Sequence, residues 1–533
     1  MENEKSKVDN ILTKEEILAG DWGEDLSYID ADLKIPTRSE LLKGAPSADF
    51  IRGEANRIAS KVESDGLDSL TPDERLYYDY YLVINAYKKN AKGEATKVNA
   101  GNISDLIINR NTLFVLNQDV YIYDPEDGTY KADPDGKSTK KMIRSALDRE
   151  FIDAKTIKGI YDLILDTLEI SIDISDINNR PAHWIHFING YYDYKTGEIY
   201  PHDPKYHDIN VIPWEYKPSK YPATGKLSTR GKGLIAETVE DPLLFNTWLN
   251  EAIPDPNDQK MLLQYIGYSM TLNTNAQKFL MICGTGGTGK STLLKVIETI
   301  LGKSNISSVS LQGLQDRFAP AQLFLKQANI CADIPLTALS EVDIIKKLTG
   351  EDTISADRKF KSAFCFRSYA RLYFSANDIP LNLSDRSNAF YRRMLIVKMD
   401  HTPDEIDPDL SKKLREEIQN IITRVVEEIT TSGGEIEISD NCRDLVKVAY
   451  KNSDSVEAFI DDRLEIGDTF RVNRRALYSD YVNYCDNEGR KPLNANGLYK
   501  ALEAKGYKQI KGSSRDFVGL KISKVIQLSA NVI

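Results

Sequence analysis

The chain has 533 residues, 41% of them hydrophobic and 28% charged, and a formal net charge of −11. That length exceeds what one hydrophobic core supports and predicts about three or four domains. No apolar stretch approaches the ~20 residues of a membrane span. The polar start, Met1-Glu2-Asn3-Glu4-Lys5, opens no signal core, so a cytoplasmic protein with no membrane partner is expected.

Residues 1–45 are charged, with scattered Gly and Pro, and read as a loosely ordered tail. Residues 46–100 read as a helical segment, crowded with Tyr77, Tyr78, Tyr80, Tyr81 and Tyr87. Aromatics at helical spacing belong to a core or subunit contact more often than to a base-stacking platform. Residues 101–216 alternate as strands around turns and read as a mixed α/β N-terminal domain. This stretch holds four of the five histidines, His183, His186, His202 and His207. His183-x-x-His186 lacks nearby Cys or paired acids at ligand spacing, so turn and surface histidines are expected rather than a metal site.

Residues 217–237 are rich in Pro, Gly, Ser, Thr and Lys and read as a linker. A helical collar follows at 238–275, with helices near 241–252 and 257–272. Next come an α/β core at 276–400 and a helical segment at 401–434, closing at Ser432-Gly433-Gly434. A last module spans 453–526. The cysteines, Cys283, Cys331, Cys365, Cys442 and Cys485, form no C-x-x-C pair. Neither a zinc site nor a disulfide framework is indicated. The first three sit in apolar strand-like runs, where buried reduced thiols are ordinary.

The core opens on its most specific feature. Gly284-Thr285-Gly286-Gly287-Thr288-Gly289-Lys290-Ser291 fits the phosphate-loop pattern without mismatch. The apolar run Phe279-Leu280-Met281-Ile282-Cys283 leads in, and a helix-compatible run from Thr292 leads out. Strand–loop–helix is the context the motif requires. Glycines let backbone N–H groups turn inward around a phosphate, and the helix N-terminus adds its positive dipole end. Residues 284–292 are therefore expected to hold ATP, with Lys290 on its β- and γ-phosphates and Ser291 on Mg²⁺.

Downstream, the strand-like run Ala328-Asn329-Ile330-Cys331 leads to Asp333, 43 residues after Lys290. Asp333 is the expected Mg²⁺-binding acid, and the general base is either Asp333 itself or Glu341. A basic and aromatic hairpin-like segment places Lys359 and Lys361 on one side of a strand, where they could grip phosphates. A further apolar strand, 370–376, ends in Asn377, suited to orienting an attacking water. Arg392 and Arg393 precede another strand; supplied in trans, one of them would neutralise charge on the γ-phosphate.

From Arg471 to the end, 12 Lys and Arg stand against 5 Asp and Glu, a surplus of 7 on an otherwise acidic chain. Helices from Ser455, over about Arg474–Glu488 and over about Asn494–Lys505, followed by a hairpin at 507–520, predict a winged helix. Its third helix offers Asn496, Tyr499, Lys500 and Lys505 to a major groove, and its wing offers Lys508, Lys511 and Arg515 to phosphates. A protein-docking winged helix with a solvated basic face is the alternative.

Taken in order, the phosphate loop, the short-spaced acid, Lys346-Lys347-Leu348-Thr349-Gly350-Glu351-Asp352, Ser375-Ala376-Asn377 and Arg392-Arg393-Met394 resemble superfamily 3 helicases, a branch of the AAA+ ATPases. Within that group the chain is similar to the phage, plasmid and poxvirus primase–helicases from about residue 105 onward. Asn189 to Tyr216 resembles the domain that precedes the ATPase there. The resemblance implies an AAA+ core and a homo-hexameric ring moving on single-stranded DNA, typically 3′ to 5′. It puts the Walker A residues on Lys290 and Ser291, the Walker B acid on Asp333 and the sensor on Asn377. The arginine finger falls best on Arg393, with Arg392 as the alternative, and the gripping lysine falls on Lys359. A separate primase or polymerase is a candidate partner, because about 100 residues precede the resembling region and no primase acid pair is evident there. The alternatives are an origin-binding ATPase that assembles on duplex DNA without unwinding it, and an AAA+ protein-remodelling machine.

Overall fold

In the computed structural model the chain packs as two units, one of residues 1–124 and 130–173, the other of 125–129 and 174–533. The structure describes residues 69–217 (168 and 169 excepted), 243–334, 343–358, 363–379, 389–488, 492–510 and 515–523, with scattered positions between 53 and 64. The expected tail, most of the expected linker, and Glu341, Lys359, Lys361 and Lys511 lie outside the described residues.

In the first unit, α1 (Pro72–Ile84) starts on a capping box: Thr71 accepts from the Glu74 N–H, and the Glu74 carboxylate accepts from the Thr71 N–H. Tyr78 and Tyr80 of α1 are buried, and so is Tyr87, as expected for a core stripe. The helical stretch ends sooner than the sequence suggested. An antiparallel pair, β1 (Tyr87–Lys89) and β2 (Ala95–Val98), follows instead. Then come α2 (Ala100–Arg110) and a sheet in the order β3 (Leu113–Leu116), β4 (Asp119–Asp124), β5 (Thr129–Asp133). Helices α3 (Lys137–Ala146) and α4 (Ala154–Leu165) complete the unit. Ile103, Ile107, Met142, Ile143, Ile160 and Ile164 close its core.

The second unit begins with a small antiparallel sheet, β6 (Trp184–Phe187), β7 (Gly190–Asp193), β8 (Glu198–Tyr200). The stretch 101–216 is thus divided between the two units at Asp173. Helices α5 (Leu244–Ala252) and α6 (Pro256–Ser269) follow; Asp255 caps α6 ahead of Pro256. The centre is a parallel five-stranded sheet. Its order is β10 (Ile306–Ser307), β11 (Ala328–Cys331), β14 (Arg371–Ala376), β9 (Phe279–Cys283), β15 (Met394–Lys398). Both β9 and β14 are buried throughout, which is why they read as continuous apolar runs rather than alternating ones. The helix α7 (Lys290–Leu301) leaves β9 through the phosphate loop. The short helix α8 (Asp343–Thr349) leads to β12 (Thr353–Ala356), which pairs antiparallel with β13 (Phe364–Arg367). The expected hairpin-like segment thus holds an antiparallel strand pair, and Lys359 and Lys361, between the two strands in sequence, lie outside the described residues.

The helical segment expected at 401–434 consists of two helices, α9 (Leu410–Glu416) and α10 (Ile418–Thr431). Glu417 at the break accepts from the Leu244 and Phe245 N–H groups, both at 2.9 Å. A carboxylate there satisfies the first donors of α5 and sits at its positive end. The small N-terminal sheet is fused to this core. Ile185, Phe187, Tyr192, Tyr194, Ile212 and Tyr216 share one apolar cluster with α6, β9, β14 and α10. Trp214 donates to the Thr299 carbonyl at 2.8 Å. Asn210 donates to Asn305 and to the Leu325 carbonyl, and accepts from Tyr369.

The C-terminal stretch has a core of its own. The helix α11 (Asp440–Ser453), unassigned in the sequence, leads to α12 (Ser455–Arg463), α13 (Arg474–Asn487) and α14 (Ala495–Ala504). A ten-residue strand, β16 (Leu464–Asn473), pairs with β18 (Asp516–Ile522), which pairs with β17 (Gln509–Ile510). Phe459, Leu477, Tyr481, Leu498, Leu502, Phe517 and Leu520 fill the space between helices and sheet. Three helices and a hairpin were legible; β16 was not, because only every third position or so along it is even partly buried, which is no strand period. Among the described residues no helix is long and apolar enough to cross a membrane.

Candidate functional site

The site forms at the carboxyl edge of the parallel sheet, where ligands of open α/β sheets bind. Strand register builds it. Cys331 lies beside Phe374, and Ala376 beside Cys283. Asp333, Asn377 and Gly284 therefore leave three adjacent strands within about one residue of the same level. Gly284 has no room for a side chain: a Cβ there would stand 1.9 Å from the Met399 carbonyl oxygen. That carbonyl arrives with β15, whose continuation is tied by the Met399 N–H to the Cys283 carbonyl at 2.8 Å. Gly287 and Gly289, at φ of 82° and 91°, hold left-handed conformations that glycine adopts without strain. Gly289 is the N-cap of α7, and the Trp248 ring packs 3.3 Å from the place its Cβ would take.

Lys290 is only 6% exposed. Its ammonium donates to the Gly284 carbonyl at 2.6 Å and the Thr285 carbonyl at 2.7 Å, so the lysine turns back into its own loop. Thr288 donates to the Thr285 carbonyl at 3.0 Å and stiffens the same turn. Thr285, Gly286 and Gly287 are exposed. Ser291 is exposed in the first turn of α7, and Thr292 is half-buried behind it. Burial pushes the Cys283 thiol up to about 12, so the cysteine beneath the loop stays protonated.

Asp333 is exposed just past β11, with φ of 51°. Its N–H donates to the Ser375 hydroxyl at 3.1 Å, and the Ile334 N–H donates to the Ser375 carbonyl at 2.9 Å. Ser375 thus fixes the turn that presents Asp333, two residues before the exposed Asn377. The sequence reading gave this serine no role of its own; its position inside an otherwise apolar strand is the signal that could have assigned one. Arg392 and Arg393 sit in one turn of 3₁₀ helix before β15 but face opposite ways. Arg392 is exposed. Arg393 is 8% exposed, donates to the Ala389 carbonyl at 2.8 Å, and lies beside Asp352, whose charge partly offsets its burial.

The C-terminal residues divide in the same manner. Asn496, Lys500, Lys508 and Arg515 are exposed. Lys505, expected as a DNA contact, instead pairs with Asp454 at 2.9 Å and with Glu457. The Tyr499 hydroxyl donates to the Arg474 carbonyl at 3.0 Å, and the Arg474 guanidinium lies 5.4 Å over its ring. Both residues are already used in joining helix to helix.

Of the four histidines expected at turns or on the surface, His186 lies inside. His186 is fully buried, bonded to the Asn210 carbonyl at 2.9 Å and to His202 at 3.1 Å. Burial, with Arg180 nearby, holds its pKa well below the usual imidazole value. Among the described residues no cluster of three or more His, Cys, Asp or Glu could hold a metal ion. All five cysteines are free; Cys365, expected inside, is exposed, and Cys331 is half-buried.

Comparison with known proteins gives two family matches. Residues 78–254 match the family described as D5 N terminal like, and residues 282–393 match a family of unknown function, DUF5906. The second match begins at the end of β9 and runs through Arg393, so it spans every site residue of the sheet edge. Among solved structures, the A-form apo structure of the NrS-1 C-terminal region is similar at 10% identity and a TM-score of 0.42. That alignment covers 76% of this chain and 94% of the other. A second apo structure of the NrS-1 C-terminal region aligns at 11% identity and a TM-score of 0.40, covering 79% of this chain and 98% of the other.

Proposed function

We propose that the chain is an ATP-dependent DNA helicase and replication initiator of a phage, virus or other mobile element, acting as a hexameric ring on single-stranded DNA. The observation that carries the reading is the convergence of Gly284–Ser291, Asp333 and Asn377 at one edge of the parallel sheet. The D5 N-terminal-like match ahead of the core agrees with it. Gly284–Ser291 would hold the phosphates of ATP, and Lys290 would turn from the Gly284 and Thr285 carbonyls to the β- and γ-oxygens. Ser291 and Asp333 are the residues that would hold Mg²⁺. Asn377 orients the attacking water from the neighbouring strand. Positioning and charge stabilisation of this kind are most of what phosphoryl transfer asks of a protein.

A ring places one subunit's exposed arginine against its neighbour's γ-phosphate. Arg392 meets that need and the buried Arg393 does not, which reverses the order in which the resemblance ranked them. The β12–β13 hairpin would carry Lys359 and Lys361 to the DNA strand. In the C-terminal module, a winged helix in this reading, Lys500, Lys508 and Arg515 would touch duplex phosphates.

Two results test this. Forked DNA with ATP and Mg²⁺ should be unwound by the wild type; hydrolysis without strand displacement would favour an initiator that only assembles on its origin. Replacing Lys500, Lys508 and Arg515 together with Ala should weaken duplex binding roughly equally across sequences and lower the salt slope by about one for each phosphate no longer neutralised. ATP turnover should stay unchanged. Undiminished duplex affinity would make the module a protein-docking one.

A further inference from the structure

The first unit carries a basic groove that lies outside every residue assigned above. Lys137, Lys140, Lys141 and Arg144 follow the spacing i, i+3, i+4, i+7 along α3 and so occupy one face of it. Lys158 of α4 stands on the other wall. The groove between the helices has a volume of about 540 Å³; Ala154 and Ile157 line it, and Asp162 is the one acid among its described lining residues. Lys137, Lys141, Arg144 and Lys158 are exposed, and none has an ion-pair partner among the described residues. Five cations against one acid line the groove, on a chain whose net charge is −11, although Asp119, Asp133 and Asp135 also act on the Tyr161 floor.

The floor indicates how a ligand would be read. Tyr161 is 8% exposed, and the Lys140 ammonium lies 4.6 Å over its ring. Lys140 is itself held by the Asp135 carbonyl at 2.6 Å. The ring is therefore covered and offers no face to a base. Binding in the groove falls to phosphates, which carry no sequence information. At about 540 Å³ the groove has the size of a small-ligand pocket, room for a short run of one sugar–phosphate strand, whereas a duplex could meet only its rim.

We infer that the α3–α4 groove binds the phosphodiester backbone of single-stranded nucleic acid, without sequence preference and without nucleotide. The test is fluorescence anisotropy of the full chain with a labelled single strand of mixed sequence, titrated over salt in the absence of ATP. Lys137→Ala, Lys141→Ala, Arg144→Ala and Lys158→Ala combined should lower affinity about tenfold or more and flatten the salt slope by about 0.7 for each phosphate left without its cation. The same four positions changed to the other basic residue (Lys→Arg, Arg→Lys) should restore both, which controls for folding. ATP hydrolysis should be untouched in both variants, and Lys290→Ala should keep the wild-type slope, so the groove and the ATPase reading fail separately. An unchanged slope in the alanine variant, or a loss seen on duplex alone, overturns the inference.

Discussion

Lys290→Ala is expected to lower ATP turnover by about 10²–10³-fold or more, the scale on which one preorganised positive group acts on transition-state charge. The lysine is buried, with two backbone carbonyls as its partners, so the variant gives up little of the fold. It leaves two carbonyls with one donor fewer, a cost of about 1–3 kcal/mol if water does not replace it. Phosphate release at saturating ATP, read beside a thermal melt, separates the two effects. Turnover within a few-fold of wild type would remove the phosphate loop from the chemistry and the helicase reading with it.

The second large effect belongs to Arg392. Arg392→Ala should lower turnover by about 10³-fold while leaving nucleotide binding intact, as loss of a finger supplied in trans does. Mixing the variant into wild type should depress activity more than dilution alone if, as in the proposed ring, each site draws on two subunits. Arg393→Ala should behave differently. It removes a buried guanidinium bonded to the Ala389 carbonyl, so its first signature is a lower melting temperature. If Arg393→Ala stops hydrolysis at an unchanged melting temperature while Arg392→Ala does not, the assignment reverses.

The two arginines also show where sequence stops informing. Gly284 to Ser291 is legible because the chemistry depends on neighbours along the chain, and spacing alone encodes it. Asp333 and Asn377 were found as polar ends of apolar strands, which is a local pattern too. Burial of one of two adjacent arginines is decided by what packs around them, and the chain gives no local sign of it. The same holds for Met399, whose carbonyl excludes any side chain at Gly284 from more than a hundred residues away. His186 was read as a turn or surface residue although Ile185 and Phe187 flank it in β6; the carbonyl it bonds, Asn210, is supplied by another segment. The break at Glu417 is a tertiary event as well, since the groups it caps belong to α5.

The join between the small β6–β7–β8 sheet and the parallel sheet sets where the protein can be cut. A fragment beginning in the stretch 218–242 would keep the whole parallel sheet and the helices α5 and α6. It would nevertheless strip Ile185, Phe187, Tyr192, Tyr194, Ile212 and Tyr216 from a cluster they share with α6 and β9. At about 1.5–3 kcal/mol for each large apolar side chain, that loss is comparable to the whole stability of a typical domain. It would also leave Asn305 and the Thr299 carbonyl without Asn210 and Trp214. The smallest portion that keeps the core of the parallel sheet whole therefore starts near residue 174. The segment ahead of the phosphate loop is a wall of the machine rather than an attachment to it.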